Sequence, residues 1–304
     1  MNSQPYGFTV RGLRHVLTSW IVRAAAWTVR RMPASRVPHL SRFLAGLLRL
    51  ATGKRQVIAR ENIHAALGDQ LSEAEVRHIC RQSMRNLVES MLYLLRLPVT
   101  TAEQLEQMVA FSGVEHLERA LAAGKGVLIV TAHFGNWELL GARIVVAGYP
   151  LQAVARDAAH TATASVINSA RQSVGGGCGV VSRDDVRGML RVLRKNGVLL
   201  ILPDQHVAEG GIVADFLGRP AMTATGPANL AVRTGCAVLP AFCVVHADGT
   251  MSAEILPPLP VENSGDLDRD IAVNTQMIND VIAEQIRAHP DQWLWFHRRW
   301  KNVQ

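Results

Sequence analysis

The spacing of apolar positions changes character near Pro98. Before it the pattern is helical: residues 8–31 and 38–52 read as helices split near Pro33 and Pro38, and 55–67 as a third. After the loop Gly68-Asp69-Gln70, Ser72-Glu-Ala-Glu75 has the form of a capping box and opens a helix over 73–95. Ile79, Met84, Leu87, Met91 and Leu94 recur along it at helical spacing, a core-packing stripe. Beyond Pro98, short apolar runs alternate with helical stretches. Strands are predicted at 126–132, 151–156, 178–182, 197–203, 236–245 and 250–256, and helices at 136–147, 161–173, 184–196, 224–234 and 268–288. Residues 204–222 read as a loop.

Strands separated by helices of about ten to fifteen residues predict an α/β fold with a mainly parallel sheet flanked by helices. Asp248-Gly249, between the last two strands, is a hairpin signal that makes the sheet mixed. Pro98 divides an N-terminal helical region, 1–98, from an α/β region, 99–304. Cys80, Cys178, Cys236 and Cys243 show no CxxC spacing and sit mostly in apolar or Gly-rich runs, so they are expected as buried free thiols.

Charge sharpens the view of the N-terminal region. Residues 1–60 hold eleven Lys/Arg and no Asp or Glu, whereas the remainder holds 21 basic and 25 acidic groups. A basic arm alone would suggest nucleic acid. This arm is also apolar (Val16–Val22, Ala24–Trp27, Phe43–Leu50), and that combination points to an anionic membrane surface. Arg23 interrupts the first apolar stretch, and no clear small-x-small cleavage site follows. A monotopic membrane-associating helix is the favoured reading. A single span and a helix packed on the protein are the alternatives.

One segment carries chemistry. His133 follows the apolar run Gly126–Val130 and precedes Glu138 by five positions. Five steps of a regular helix turn the chain by about 500°, so the two side chains meet only if His133 lies in the turn before the helix. Gly135 can supply that turn and Asn136 the N-cap. The pair then reads as a general base oriented by a carboxylate, at the carboxyl end of a strand. No GxSxG is present, so the nucleophile is expected to come from outside: His133 would deprotonate a substrate hydroxyl, with Glu138 fixing the imidazole.

The segment His133-Phe-Gly-Asn-Trp-Glu138 resembles the HX4D/E motif of glycerolipid acyltransferases. Further stretches narrow the likeness to the bacterial lipid A late acyltransferases: Val154-Ala-Arg156, Leu202-Pro-Asp-Gln205, Phe216-Leu-Gly-Arg-Pro-Ala221 with Thr223, Gln292-Trp-Leu-Trp295, and His297-Arg-Arg-Trp-Lys301. The resemblance spans roughly residues 10–301. It implies an acyl thioester donor, with acyl carrier protein favoured over CoA, and as acceptor an anionic glycolipid hydroxyl of a lipid A precursor. It also implies a site on the cytoplasmic face of the inner membrane and no metal or organic cofactor. Other readings stay open: acylation of another glycolipid such as a mannosylated phosphatidylinositol with acyl-CoA, thioester hydrolysis, or a non-catalytic membrane-binding protein.

Substrate-binding candidates are Asn136, Arg156, Arg171, Asp204 and Gln205. Arg156 ends a strand expected beside 126–132 and could hold a phosphate or the oxyanion. Asp204 could order the loop or accept from Arg156. Arg171 could meet an acceptor phosphate, Asn136 reads first as a cap, and Gln205 enters through the resemblance. Gly175-Gly-Gly177 lacks the Lys-Ser/Thr of a phosphate loop, and His206 with Glu209 makes too small a ligand set for a metal. The C-terminal Trp293, Trp295 and Trp300 among basic residues suit either core packing or a lipid interface, with nucleic acid the weakest reading.

Overall fold

A computed structural model describes residues 10–68, 71–155, 162–175 and 178–301. Helices α1 (Val10–Arg31), α2 (Val37–Ala51), α3 (Gly53–Leu67) and α4 (Glu73–Arg96) come first. There follow α5 (Ala102–Met108), β1 (Val109–Ser112), α6 (Val114–Ala122), β2 (Val127–Val130), α7 (Trp137–Val146), β3 (Leu151–Ala155), α8 (Ala162–Gln172) and β4 (Cys178–Ser182). The chain continues through α9 (Val186–Arg194), β5 (Val198–Ile201), β6 (Gly211–Phe216), β7 (Arg219–Ala224), α10 (Gly226–Thr234), β8 (Ala237–Val245), β9 (Met251–Ile255) and α11 (Leu267–Ala288).

Seven strands form one sheet in the order β1-β9-β8-β2-β5-β3-β4. All neighbours in it are parallel except β8 and β9. The mixed α/β reading therefore holds, with Asp248-Gly249 turning the antiparallel pair as expected. The central strand β2, Val127-Leu-Ile-Val130, is fully buried, as befits a strand covered on both faces. The order departs from sequence order in one place that matters: β5 lies between β2 and β3. The strand ending near Arg156 is therefore not the neighbour of β2, contrary to expectation. Leu199 and Leu200 of β5 are themselves buried, which qualifies β5 for the interior position.

Two local expectations hold in atomic detail. Ser72 caps α4 with both halves of its capping box formed, and all four cysteines are free and buried. The stretch 204–222 is not a simple loop. It contains β6 and most of β7, an antiparallel hairpin turned by Leu217 and Gly218, both at positive φ. Two residues at positive φ make a tight hairpin turn, normally marked by Asn-Gly. Here a leucine occupies the first position because its side chain is buried, so the usual sequence signal is absent. The sequence pattern also does not predict α5, β1 or α6.

The N-terminal helices pack into the same core as the sheet. Ser90 Oγ of α4 donates to the carbonyl of Gly135 at 2.8 Å, Ser83 donates to the carbonyl of Trp293, and Asn62 of α3 donates to the carbonyls of Trp295 and His297 at 2.8 and 2.7 Å. Hydrogen bonds thus cross the Pro98 boundary at the level of the site. Among the described residues, no helix is long and apolar enough to cross a membrane.

Candidate active site

The turn between β2 and α7 is built as its sequence requires. Gly135 takes φ +52°, and a Cβ there would lie 1.8 Å from the carbonyl oxygen of Cys243, so glycine alone fits. Asn136 caps α7, its Oδ1 accepting from the Leu139 amide at 3.2 Å. The turn is clamped from the far end of the chain: Gly135 N donates to Gln292 O, Leu294 N to His133 O, and Asn136 N to Cys243 O. Gln292 in turn exchanges two hydrogen bonds with the Val245 backbone.

His133 emerges from this turn about a quarter exposed. Its Nδ1 is 2.8 Å from Oδ1 of Asp204. The other oxygen of that carboxylate accepts from the His133 amide at 3.0 Å and from the Trp293 indole at 2.9 Å. The pairing follows from the sheet. Val130 of β2 is in register with Ile201 of β5, and His133 and Asp204 each stand three residues further on.

Glu138 does not orient the imidazole. Its carboxylate is engaged instead by Arg171 of α8, with Nε to Oε2 at 2.9 Å and Nη2 to Oε1 at 2.5 Å. The position in the first turn of α7 was correct, but a fully buried carboxylate one strand away, already aligned by register, holds the ring in its place. Glu138 still acts at a distance. Burial by itself pushes the His133 pKa down; the Asp204 charge and hydrogen bond, with a further contribution from Glu138, outweigh it and raise the net value. Burial likewise works against ionised Asp204, but the imidazole and the three donors hold its carboxyl below the usual range.

Arg171 and Glu138 are largely buried and both line a cavity of about 840 Å³ that His133 and Gln205 also border. The Gln205 amide nitrogen lies 3.4 and 3.5 Å from the two nitrogens of the ring. Beyond Glu138 the wall turns apolar, with Gly141, Ala142, Leu151, Val154, Val174 and Met189. Asn136 is corrected from substrate contact to structural cap: it is buried and its amide points to Met251 Sδ. Arg156 and the pair Gly176-Gly177 lie outside the described residues. Trp293 and Trp295 are core residues, so packing rather than a lipid interface accounts for their burial, and Trp293 adds its bond to Asp204. Among the described residues no group of His, Cys, Asp or Glu is suited to hold a metal ion.

A profile of the family described as "Bacterial lipid A biosynthesis acyltransferase" matches residues 8–302. The chain belongs to that family. Its relatives are named acyltransferases and differ in acceptor. A phosphatidylinositol mannoside acyltransferase of Mycobacterium tuberculosis is 28% identical over 93% of this chain and 88% of the relative. The lipid A biosynthesis lauroyltransferase of Escherichia coli is 26% identical, and the palmitoleoyltransferase 24%, each over 95% of this chain and 92% of the relative. The crystal structure of a 1-acyl-sn-glycerophosphate acyltransferase from Thermotoga maritima aligns with 92% of this chain and 100% of its own, at 11% identity and TM-score 0.36. That is too distant for its site to be compared with this one.

The candidate site thus contains two contacts that the sequence pattern does not predict, Asp204 with His133 and Trp293 with Asp204. A signal for the first was present: His133 and Asp204 each directly follow a predicted buried strand.

Proposed function

We propose that this acyltransferase moves a fatty acyl group from an acyl thioester to a hydroxyl of an anionic glycolipid. A lipid A precursor is the favoured acceptor and acyl carrier protein the favoured carrier. The observation that carries the reading is the His133–Asp204 dyad at the rim of a cavity with apolar walls. With Nδ1 committed to Asp204, Nε2 is left to receive a proton from the acceptor hydroxyl. The hydroxyl oxygen attacks the thioester carbonyl, and the Gln205 amide is a donor within reach of the developing oxyanion. The carbon–sulfur bond then breaks, and the imidazolium returns its proton to the leaving thiolate. Asp204 and the more distant charge of Glu138 favour the imidazolium while it exists.

No acyl-enzyme is needed. Cys178 lines the cavity, but burial pushes its thiol up to about 11, so it stays protonated and a poor nucleophile at neutral pH. An anionic membrane surface, on the cytoplasmic face of the inner membrane, suits the exposed Trp20, Ile21 and Trp27 of α1 and Phe43, Leu47 and Leu50 of α2. The mycobacterial relatives support a second acceptor, a mannosylated phosphatidylinositol.

The test is transfer from a labelled acyl thioester by purified protein in detergent, with each acceptor and with none. Acceptor-dependent product that disappears in His133→Ala is expected. Release of free fatty acid without acceptor would replace transfer by hydrolysis. Absence of turnover with vesicle binding retained would leave a binding protein.

A further inference from the structure

A second cleft, of about 350 Å³, lies between α3, the start of β7 and the C-terminal tail. Glu61 and Asn62 of α3 form one wall, Arg219 enters from the hairpin turn, and Arg298, Trp300 and Lys301 come from the tail. The volume is at the lower end for a small-molecule site. Its charge is lopsided, with three cations against one carboxylate. Among the described residues none of Arg219, Arg298 and Lys301 has a carboxylate within salt-bridge distance, although eight ion pairs occur elsewhere.

One of the three cations, Arg219, is held in place, while Arg298 and Lys301 are exposed on the tail. Trp300 is fixed by its indole donating to Phe216 O at 3.2 Å, and Arg219 lies over its ring at 5.4 Å. Asn62 is fixed by its two bonds to the tail. Three like charges gathered around a single carboxylate repel one another, and a dianion with several acceptor oxygens removes that repulsion. The tail that carries Arg298 also touches the loop bordering the reaction cavity. His297, adjacent to Arg298, accepts from the backbone N–H of His206 at 3.1 Å, and His206 lines the reaction cavity.

We propose that this cleft is a phosphate subsite, taking a phosphate ester of an anionic amphiphile while the acceptor hydroxyl lies at His133. This rests on the acyl-transfer reading above for its substrate. The phosphate could belong to the acceptor headgroup or to the donor carrier, and the experiment separates the two.

Arg298→Gln/Lys301→Gln is compared with wild type and with Arg187→Gln, a control that neutralises an exposed cation elsewhere. KM is measured for a phosphorylated glycolipid acceptor, for the same lipid after phosphatase treatment, and for acyl-CoA with and without its 3′-phosphate. The double variant is expected to raise KM about tenfold for the phosphorylated acceptor alone, with kcat nearly unchanged. A rise confined to phosphate-bearing acyl-CoA would keep the subsite and assign it to the donor. Equal KM values in all arms would overturn it. Binding of inorganic phosphate by equilibrium dialysis needs no turnover, so it tests the cleft even where acyl transfer fails. Phosphate affinity unchanged by the double variant overturns the subsite without touching the dyad. Arg219→Gln, made separately, should weaken phosphate binding while keeping the melting temperature.

Discussion

Replacing Asp204 by Asn is the sharpest probe of the site, because it changes one charge and almost no volume. The carboxylate accepts three hydrogen bonds. If the amide oxygen keeps the two donors at Oδ2, its NH2 must face His133 Nδ1. That nitrogen then has to accept, the ring proton moves to Nε2, and the atom meant to receive the hydroxyl proton is blocked. General-base catalysis contributes about 10²–10⁴ in rate, so kcat should fall by that factor, or about 3–5 kcal/mol of activation free energy. The pH profile adds a second readout. In wild type the raised imidazole pKa puts the acid limb of kcat/KM above the 6.5 of a free imidazole. Without Asp204, burial dominates and the limb should move to lower pH. The assay is steady-state acyl transfer between pH 5 and 9, with the fold checked by circular dichroism. Wild-type kcat with an unmoved acid limb would refute the dyad.

The His133–Asp204 pair should also shape stability. Its histidine part is fully present below the unfolded imidazole pKa and lost as pH rises through the raised folded value; its aspartate part is fully present above the unfolded carboxyl pKa and lost as pH falls through the depressed one. Thermal midpoints of wild type minus Asp204→Asn should therefore be largest at mildly acidic pH and shrink on the alkaline side, where the enzyme is most active. Glu138→Gln strips the counter-charge from largely buried Arg171, costing about 3–5 kcal/mol of stability, read by denaturant titration. It should move the acid limb less than Asp204→Asn does. Trp293→Phe removes one donor from the carboxylate, strengthens its pull on the imidazole proton, and should shift the acid limb upward, opposite to Asp204→Asn. Gly135→Ala drives a Cβ into the Cys243 carbonyl at positive φ and should cost at least about 3 kcal/mol, seen as a fallen melting temperature or insoluble protein.

Much of the architecture was written in local pattern. The all-apolar Val127–Val130, the Ser72 capping box, Asn136 before α7 and Asp248-Gly249 each announce an element through the chemistry of that element alone. What escaped was decided by partners distant in sequence. The register of β5 beside β2 carries Asp204 to His133 across 71 positions, and nothing near His133 reports it, whereas Glu138 stands nearby at a suggestive spacing. The hairpin of β6 and β7 escaped for a different reason: burial of Leu217 overrides the usual preference at its turn. The residues of the second cleft come from three separated stretches, 58–65, 219 and 298–301, and no single stretch shows their convergence.

The clamp formed by residues 292–294 bears on how the protein is made. Every described strand precedes Trp293, so a growing chain that has just completed α11 already owns the material for its whole sheet. It lacks the indole that steadies Asp204 and the backbone groups that grip the His133 turn. The geometry of the His133 turn therefore waits on residues synthesised after the whole described sheet, and a nascent chain stalled at residue 288 would still have that turn ungripped.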